Sequence, residues 1–346
     1  MSRRSLTLII ATVGVIASLA IAVLIPVPYV ILGAGPTLNT LGKDSSGHPL
    51  ITITGHATYP TSGHLNMVTV GYQGGPGVRI NIFSALAAWL NPHEAVVPES
   101  ELFPPGQTAQ ESQKADTQEM TGSQQAAVEA ALTELHIPFT TQVVVVQAEP
   151  GLPAYGVLKA GDIITAVDGK AVTNEVSLTS LIGTHPAGST LTLTITRDKQ
   201  TQTVRVGTRE SGGRPEMGVE IAGQCPCQFP FTVKFSVGDI GGPSAGMMFA
   251  LGIIDKLTTM DLTGGKFIAG TGEITPNGQV QAIGGIQQKM LGARNAGATI
   301  FLAPAANCSD VKGAIPPGLR VVKVSTLSQA VSVLEALKAG QPVPSC

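Results

Sequence analysis

In the run Gly242-Pro243-Ser244-Ala245-Gly246 a serine sits between glycines, directly ahead of an apolar stretch that begins Met247-Met248-Phe249. This G-x-S-x-G pattern suits a nucleophilic serine on a tight turn that opens a helix. A serine hydroxyl is a weak nucleophile until a neighbouring base takes its proton. The chain has six histidines (His48, His56, His64, His93, His136 and His185), and all of them precede Ser244. The order Ser, then Asp or Glu, then His of the α/β-hydrolases therefore cannot be met. Downstream of Ser244 the group that fits the role is Lys289, in the stretch IGGIQQKMLGARNAGA, flanked by Ile286, Met290 and Leu291. A free lysine titrates near about 10.4, too high for a base at neutral pH. Burial disfavours the charged amine and lowers its pKa by up to about 3–5 units. A neutral amine can take the serine proton and later pass it to a leaving amine.

Plainer readings stand beside this one. Ser244 could cap a helix after a glycine turn, or its loop could bind an anion at the helix N-terminus. The same N–H groups could serve as an oxyanion hole. Pro243 has no N–H, so donors must come from Ser244 and its loop neighbours, with Gly242 and Ala245 as supporting positions. Lys289 could be a solvated helix lysine. Thr271 could be an ordinary strand residue.

Elements that would position these residues alternate along the C-terminal part. FTVKFSV reads as a strand, 244–257 as an apolar helix, KFIAGTGEIT and QVQAIGG as paired strands, 287–296 as a helix, ATIFLAP as a strand and Leu327–Lys338 as a closing helix. Asn277-Gly278 is a hairpin turn signal. Ahead of them, PLITITGHATY and GHLNMVTVGY read as a hairpin separated by PTS, and NIFSALAAWLN as a short apolar helix. Residues 97–117 are polar and proline-bearing and read as a loop or flap that could lid a site. TGSQQAAVEAALTEL reads as an amphipathic helix, closed by His136-Ile137-Pro138.

The chain of 346 residues is long enough for two or three domains. Charged residues make up 13%, about half the usual share, with 41 glycines and 24 prolines, as in β-rich, turn-rich modules. A net charge of −2, one tryptophan and no basic cluster speak against a nucleic-acid partner. Arg3 and Arg4 precede an uncharged run that lasts to Lys43. Residues 6–27, opening at Leu6 and closing at Val27, have the length of a bilayer-spanning helix. The arginines place its N-terminus in the cytoplasm and the rest of the chain outside the cell membrane. A cleaved signal peptide is the rival, but Pro26, Val27, Pro28 and Tyr29 replace the small residues of a cleavage site. The four cysteines suit an oxidising compartment. Cys225 and Cys227 are too close in sequence for an easy mutual bridge, so pairing of each with Cys308 or Cys346 is expected, although sequence cannot choose among the connectivities. The spacing is not a zinc pattern, so no metal and no cofactor are expected.

Residues 139–210 resemble a PDZ domain. The resemblance rests on GLPAYGVLKAGDIITAVDGKAV, with Gly161-Asp162-Ile163-Ile164 and Val167-Asp168-Gly169, then a short helix over 175–182 and a hairpin turning at Asp198-Lys199. It implies capture of an extended peptide ligand as an added strand.

GPSAG, GTGEIT, the pattern G-x-V-x-x-IGGI and the lysine three residues beyond it resemble the protease domain of the Lon family, a Ser-Lys peptidase. The resemblance implies Ser244 as nucleophile, Lys289 as general base and Thr271 as the threonine that hydrogen-bonds and orients the lysine. With the anchor and the PDZ module, the whole chain resembles membrane-anchored, PDZ-containing Lon-like proteases of bacteria. The fold class implied is a mixed α/β (α+β) Lon-type domain with an inserted PDZ domain behind one transmembrane helix. The expected divisions are 1–33 for the anchor, 34–138 for the front half of the protease domain, 139–210 for the PDZ domain and 211–346 for the catalytic half. The acidic residue that ATPase-bearing relatives carry three before the serine is Gly241 here, with Asp239 two residues earlier. There is no G-x-x-x-x-G-K-[ST] phosphate loop. The expected activity is thus ATP-independent serine endopeptidase cleavage of unfolded or extended polypeptides, membrane or secreted proteins among them. A homo-oligomer is compatible with the resemblance. The alternative is a membrane-tethered PDZ adaptor whose protease fold is inactive or latent.

Overall fold

The computed structural model describes residues 3–44 and 46–346, with the side chains of residues 3, 19–22, 24 and 223–228 outside the described set. The front of the chain forms α1 (Arg3–Leu24), β1 (Pro26–Val27), β2 (Tyr29–Asn39), β3 (Ile51–Thr54), β4 (His64–Gln73), β5 (Ile80–Asn81), α2 (Ile82–Leu90), β6 (Ala95–Pro98), α3 (Glu99–Leu102) and α4 (Ala109–Glu134). Then come β7 (Thr140–Ala148), β8 (Ile163–Val167), β9 (Lys170–Ala171), α5 (Glu175–Gly183), β10 (Thr190–Arg197), β11 (Gln200–Gly207), β12 (Arg209–Ser211), β13 (Arg214–Glu216) and β14 (Val219–Gln228). The C-terminal part holds β15 (Thr232–Phe235), α6 (Gly246–Leu257), β16 (Phe267–Gly270), β17 (Glu273–Ile274), β18 (Val280–Gln281), α7 (Ile286–Asn295), β19 (Ile300–Pro304), α8 (Cys308–Val311), β20 (Arg320–Val324) and α9 (Leu327–Lys338).

One six-stranded sheet runs β20-β19-β16-β4-β2-β6. β20, β19, β16 and β4 are parallel, and β2 and β6 close the edge antiparallel. Strands buried on both faces must be apolar at every position, and IFLAP of β19 is buried throughout. Side chains alternate between the faces. Ile268, Ile300, Leu302, Val322 and Val324 join the core that holds α4, α6 and α9. Ala269, Phe301, Ala303 and Val321 join the opposite core, with Ile286, Met290 and Ala293 of α7. β4 lies between β2 and β16, with His64 opposite Phe267 and Met67 opposite Gly270, so segments before and after the middle module share one sheet.

The middle module has its own sheet, β11-β10-β8-β7-β14, and its own core around Val143, Ile164, Leu178, Leu191, Leu193 and Ile195. The β10–β11 hairpin turns at Asp198 and Lys199, both with positive φ, as a two-residue turn of this hand requires. β14 pairs with β7, so the module's sheet takes a strand from beyond residue 210.

Several expectations need correction. β3 pairs with β15, and β4 pairs with β2 and β16, so residues 50–72 form no hairpin. Each strand had a better buried partner far away in sequence. The flap expected at 97–117 is largely helical, in α3 and the first turns of α4. Thr108 and Glu111 form a reciprocal capping box there, which satisfies the free N–H groups and starts the helix early. β16 is an interior parallel strand, and only β17 and β18 pair as the short hairpin. Cys308 is bonded to Cys346, which overturns their expected pairing with Cys225 and Cys227. The side chains of those last two lie outside the described residues. The helix expected over 6–27 ends at Leu24, since Pro26 and Val27 enter β1. Among the described residues no helix is long and apolar enough to cross a membrane. That expectation falls partly on residues 19–22 and 24, whose side chains are not described.

In the middle module Asp162 is 1% exposed and grips Arg197 through two bonds, Nε to Oδ1 at 2.7 Å and Nη2 to Oδ2 at 2.6 Å. Removing one partner of a buried ion pair strands the other charge and costs ~3–5 kcal/mol. Arg197→Ala is expected to speed amide exchange in β8 and β10 by that amount and leave β16 and β19 unchanged in the same exchange experiment.

Candidate active site

The Ser244 loop is fixed from two sides. Its carbonyl oxygen accepts from Gly272 N–H at 2.8 Å and from Thr271 Oγ1 at 3.0 Å. Met247 N–H returns a bond to the Gly272 carbonyl at 3.0 Å. These bonds register the start of α6 against the end of β16. From the other side α4 reaches in: Ser123 Oγ donates to the Pro243 carbonyl at 2.8 Å, and Gly242 N–H donates to the Asp116 carbonyl at 3.1 Å. α6 is buried at every position but Lys256, as a helix apolar all round must be.

Lys289 arrives on α7. The cap of that helix, Gly285, has φ +66, and a Cβ there would meet Val70 Cγ2 at 2.6 Å. Only glycine fits that left-handed, crowded position. The helix then turns Lys289 inward between Ile286 and Met290, both buried. Lys289 is 4% exposed, and its Nζ lies 2.9 Å from Ser244 Oγ. Desolvation pushes its pKa down to about 8. Among the described residues no carboxylate pairs with it. Nothing there restores the charged form, so the neutral amine is within reach near neutral pH.

The other expected positions fall as follows. Thr271 is fully buried, and its hydroxyl bonds the Ser244 carbonyl rather than the Lys289 amine, so it holds the Ser244 backbone. Gly242 has its N–H committed to Asp116. The N–H groups of Ser244 and Ala245 make no backbone hydrogen bond among the described residues. Asp239 lines a cavity of about 550 Å³ between α4 and residues 237–241, with Asp116, Met120 and Thr121 on the far wall. None of the histidines hydrogen-bonds Ser244. Among the described residues no group of three or more His, Cys, Asp or Glu could hold a metal ion.

Sequence reasoning missed Asp116 and Ser123. Asp116 stands where a side chain at Gly241 would go: a Cβ on Gly241 would lie 2.4 Å from Asp116 Cβ. Burial raises the pKa of the Asp116 carboxyl. An acid thus borders the loop from α4, at the position where the resemblance puts one in the loop itself. The capping pattern Thr108-x-x-Glu111 was the signal that could have extended α4 to reach it.

The depressed lysine pKa makes a stability statement. Between about pH 8 and the unfolded value of 10.5 the unfolded chain binds the extra proton. Stability therefore rises with pH across that window, by on the order of 3 kcal/mol. Lys289→Met, similar in volume and uncharged, is expected to unfold at higher denaturant than the parent at pH 7 and to lack that rise. Urea titrations at pH 7 and 10.5 check both.

Comparison with known proteins adds to this geometry. The family model of the PDZ domain matches residues 113–208. That of the Lon protease (S16) C-terminal proteolytic domain matches residues 237–338. The first match begins inside α4, which the structure packs into the core around α6. Lon protease of Neorickettsia sennetsu is 34% identical over 106 residues, 30% of this chain and 12% of that protein. Lon protease of Roseiflexus castenholzii is 45% identical over 71 residues, 20% of this chain and 9% of that protein. Lon protease of Clostridioides difficile is 49% identical over 63 residues, 18% of this chain and 8% of that protein. The chain therefore spans only about a tenth of the length of these relatives. Among solved structures, the PDZ domain of the SdrC-like protein from Listeria monocytogenes is 25% identical, covering 23% of this chain and 85% of that one, at a TM-score of 0.22. The chain carries a PDZ domain followed by a Lon-type serine protease domain.

Proposed function

We propose that this chain is an ATP-independent serine endopeptidase with a Ser244–Lys289 dyad, held at the outer face of the cell membrane by its N-terminal helix and supplied with substrate through its PDZ domain. The observation that carries the reading is the 2.9 Å contact between a buried, unpaired lysine amine and the serine hydroxyl. The neutral amine takes the Ser244 proton as Oγ attacks the scissile carbonyl carbon. The N–H groups of Ser244 and Ala245 face the developing oxyanion. The ammonium then gives its proton to the departing amine nitrogen, leaving an acyl-enzyme that water hydrolyses with the amine again as base. The cavity between α4 and residues 237–241, which ends three residues ahead of Ser244 in the chain, has room for an extended polypeptide. Absence of a phosphate-loop motif supports substrates that are already unfolded or extended. The membrane anchor rests on the uncharged run behind Arg3 and Arg4 and on the exposure of Leu8, Ile10, Val13 and Ile16 along α1.

A second reading, a membrane-tethered PDZ adaptor with a latent protease fold, is tested alongside. Covalent labelling of Ser244 by a serine-directed probe, with and without peptide ligands, separates them. Cleavage of an unfolded protein without ATP is expected from the parent, and Ser244→Ala and Lys289→Ala are each expected to lose about 10³-fold or more. The parent's rate is expected to rise through about pH 8 as Lys289 loses its proton. A flat profile with chemistry rate-limiting, or cleavage surviving in both variants, would sink the dyad.

A further inference from the structure

α2 is built inside out for a water-facing helix. Its small residues Ala85 and Ala88 are buried, packed with Ile31 and Ile80. Its large residues Ile82, Phe83, Leu86, Trp89 and Leu90 are exposed, with Trp89 at 71% and Leu90 at 70%. At 100° per residue these five fall on one face about 120° wide. The helix carries no charge. A surface face of this kind, large and contiguous, marks a binding surface.

The position of α2 says what covers it. Pro26 and Val27, one residue beyond the end of α1, pair with Asn81 and Ile80 in a two-stranded ribbon. Asn81 is itself the cap of α2, its side chain accepting from Ser84 N–H at 2.9 Å. The apolar face of α2 thus starts where the apolar run of α1 ends, and the two helices touch. Tryptophan at a helix end is the residue that prefers the headgroup level of a bilayer. We infer that α2 lies in the outer interfacial layer of the bilayer that α1 enters, with Phe83, Leu86, Trp89 and Leu90 immersed in lipid. The inference rests on the membrane-anchor reading above. It adds a second point of attachment, which sets the β6 edge of the catalytic sheet against the membrane and fixes the orientation of the site.

Trp89 is the chain's one tryptophan, so its fluorescence reports on this face without labelling. The full chain would be reconstituted into phosphatidylcholine vesicles with brominated acyl chains, and flotation measured on the same samples. Flotation with several-fold stronger quenching than in unbrominated vesicles is expected. Leu86→Glu, at an exposed position, is expected to float and to cleave a soluble unfolded substrate as the parent does, while losing most of the quenching. Flotation without quenching, and with Trp89 open to acrylamide, would overturn the inference and leave the anchor standing. Flotation without quenching, but with Trp89 shielded from acrylamide, would also overturn it and assign the face to a second copy of the chain. Failure to float would overturn the anchor and this inference together.

Discussion

A buried amine lies against a hydroxyl, and most of the protease-domain fold is arranged around that contact. A charged lysine in water is stable and useless as a base. The same lysine out of water gives up its proton near neutral pH. The structure achieves this without a counter-charge: Lys289 is 4% exposed and its amine contacts Ser244 Oγ. A carboxylate in contact would hold the amine charged. The sheet solves the packing problem by bringing helices from both of its faces to one point. α6 starts in the core on one face and α7 belongs to the core on the other. They meet past the carboxyl end of β16, where Thr271 and Gly272 hold the Ser244 carbonyl. Residues just beyond the carboxyl ends of parallel strands are where such sheets leave room for chemistry.

That geometry requires a chain order that looks inefficient. β4 sits between β16 and β2, yet it is made before the PDZ module and β16 after it. The middle module leaves from the end of α4 and returns through β14, which stays in the module's own sheet. α4 joins the core around α6 and also reaches the Ser244 loop. Its C-terminal half is in the catalytic core, through Ala127, Val128 and Leu132. Its earlier turns bond the Ser244 loop through the Asp116 carbonyl and the Ser123 hydroxyl.

What could be read from sequence follows the range of the signals. Ser244, Lys289 and the PDZ motifs announce themselves because each is set by a few neighbouring residues with fixed backbone demands. α9 is found at Leu327–Lys338 because its apolar period is unbroken and Thr326 caps it. Pairings are another matter. PLITITGHATY and GHLNMVTVGY are both strands, but which strands they meet depends on burial across more than a hundred residues, and the short separation misled. The cysteines fail for the same reason: Cys308 and Cys346 come together because the chain end returns to the β20 edge, bridging Val322 with Ser345.

The deeper miss is α4, and its cause is functional. A helix is easiest to see when one face is large and apolar. Here the face that matters is small and polar. The helix must come close enough for Ser123 to reach the Pro243 carbonyl, and Gly246, opposite it, has room for no side chain, with Ser123 Oγ 2.9 Å from where a Cβ would be. Toward the cavity it must show Thr121 and, before it, Gln113, Asp116 and Thr117, which read as a loop. A leucine-rich stripe there would fill the cavity and push the Ser244 loop away. The polarity that hid the first half of α4 from pattern reading is the same property that lets it line the cavity.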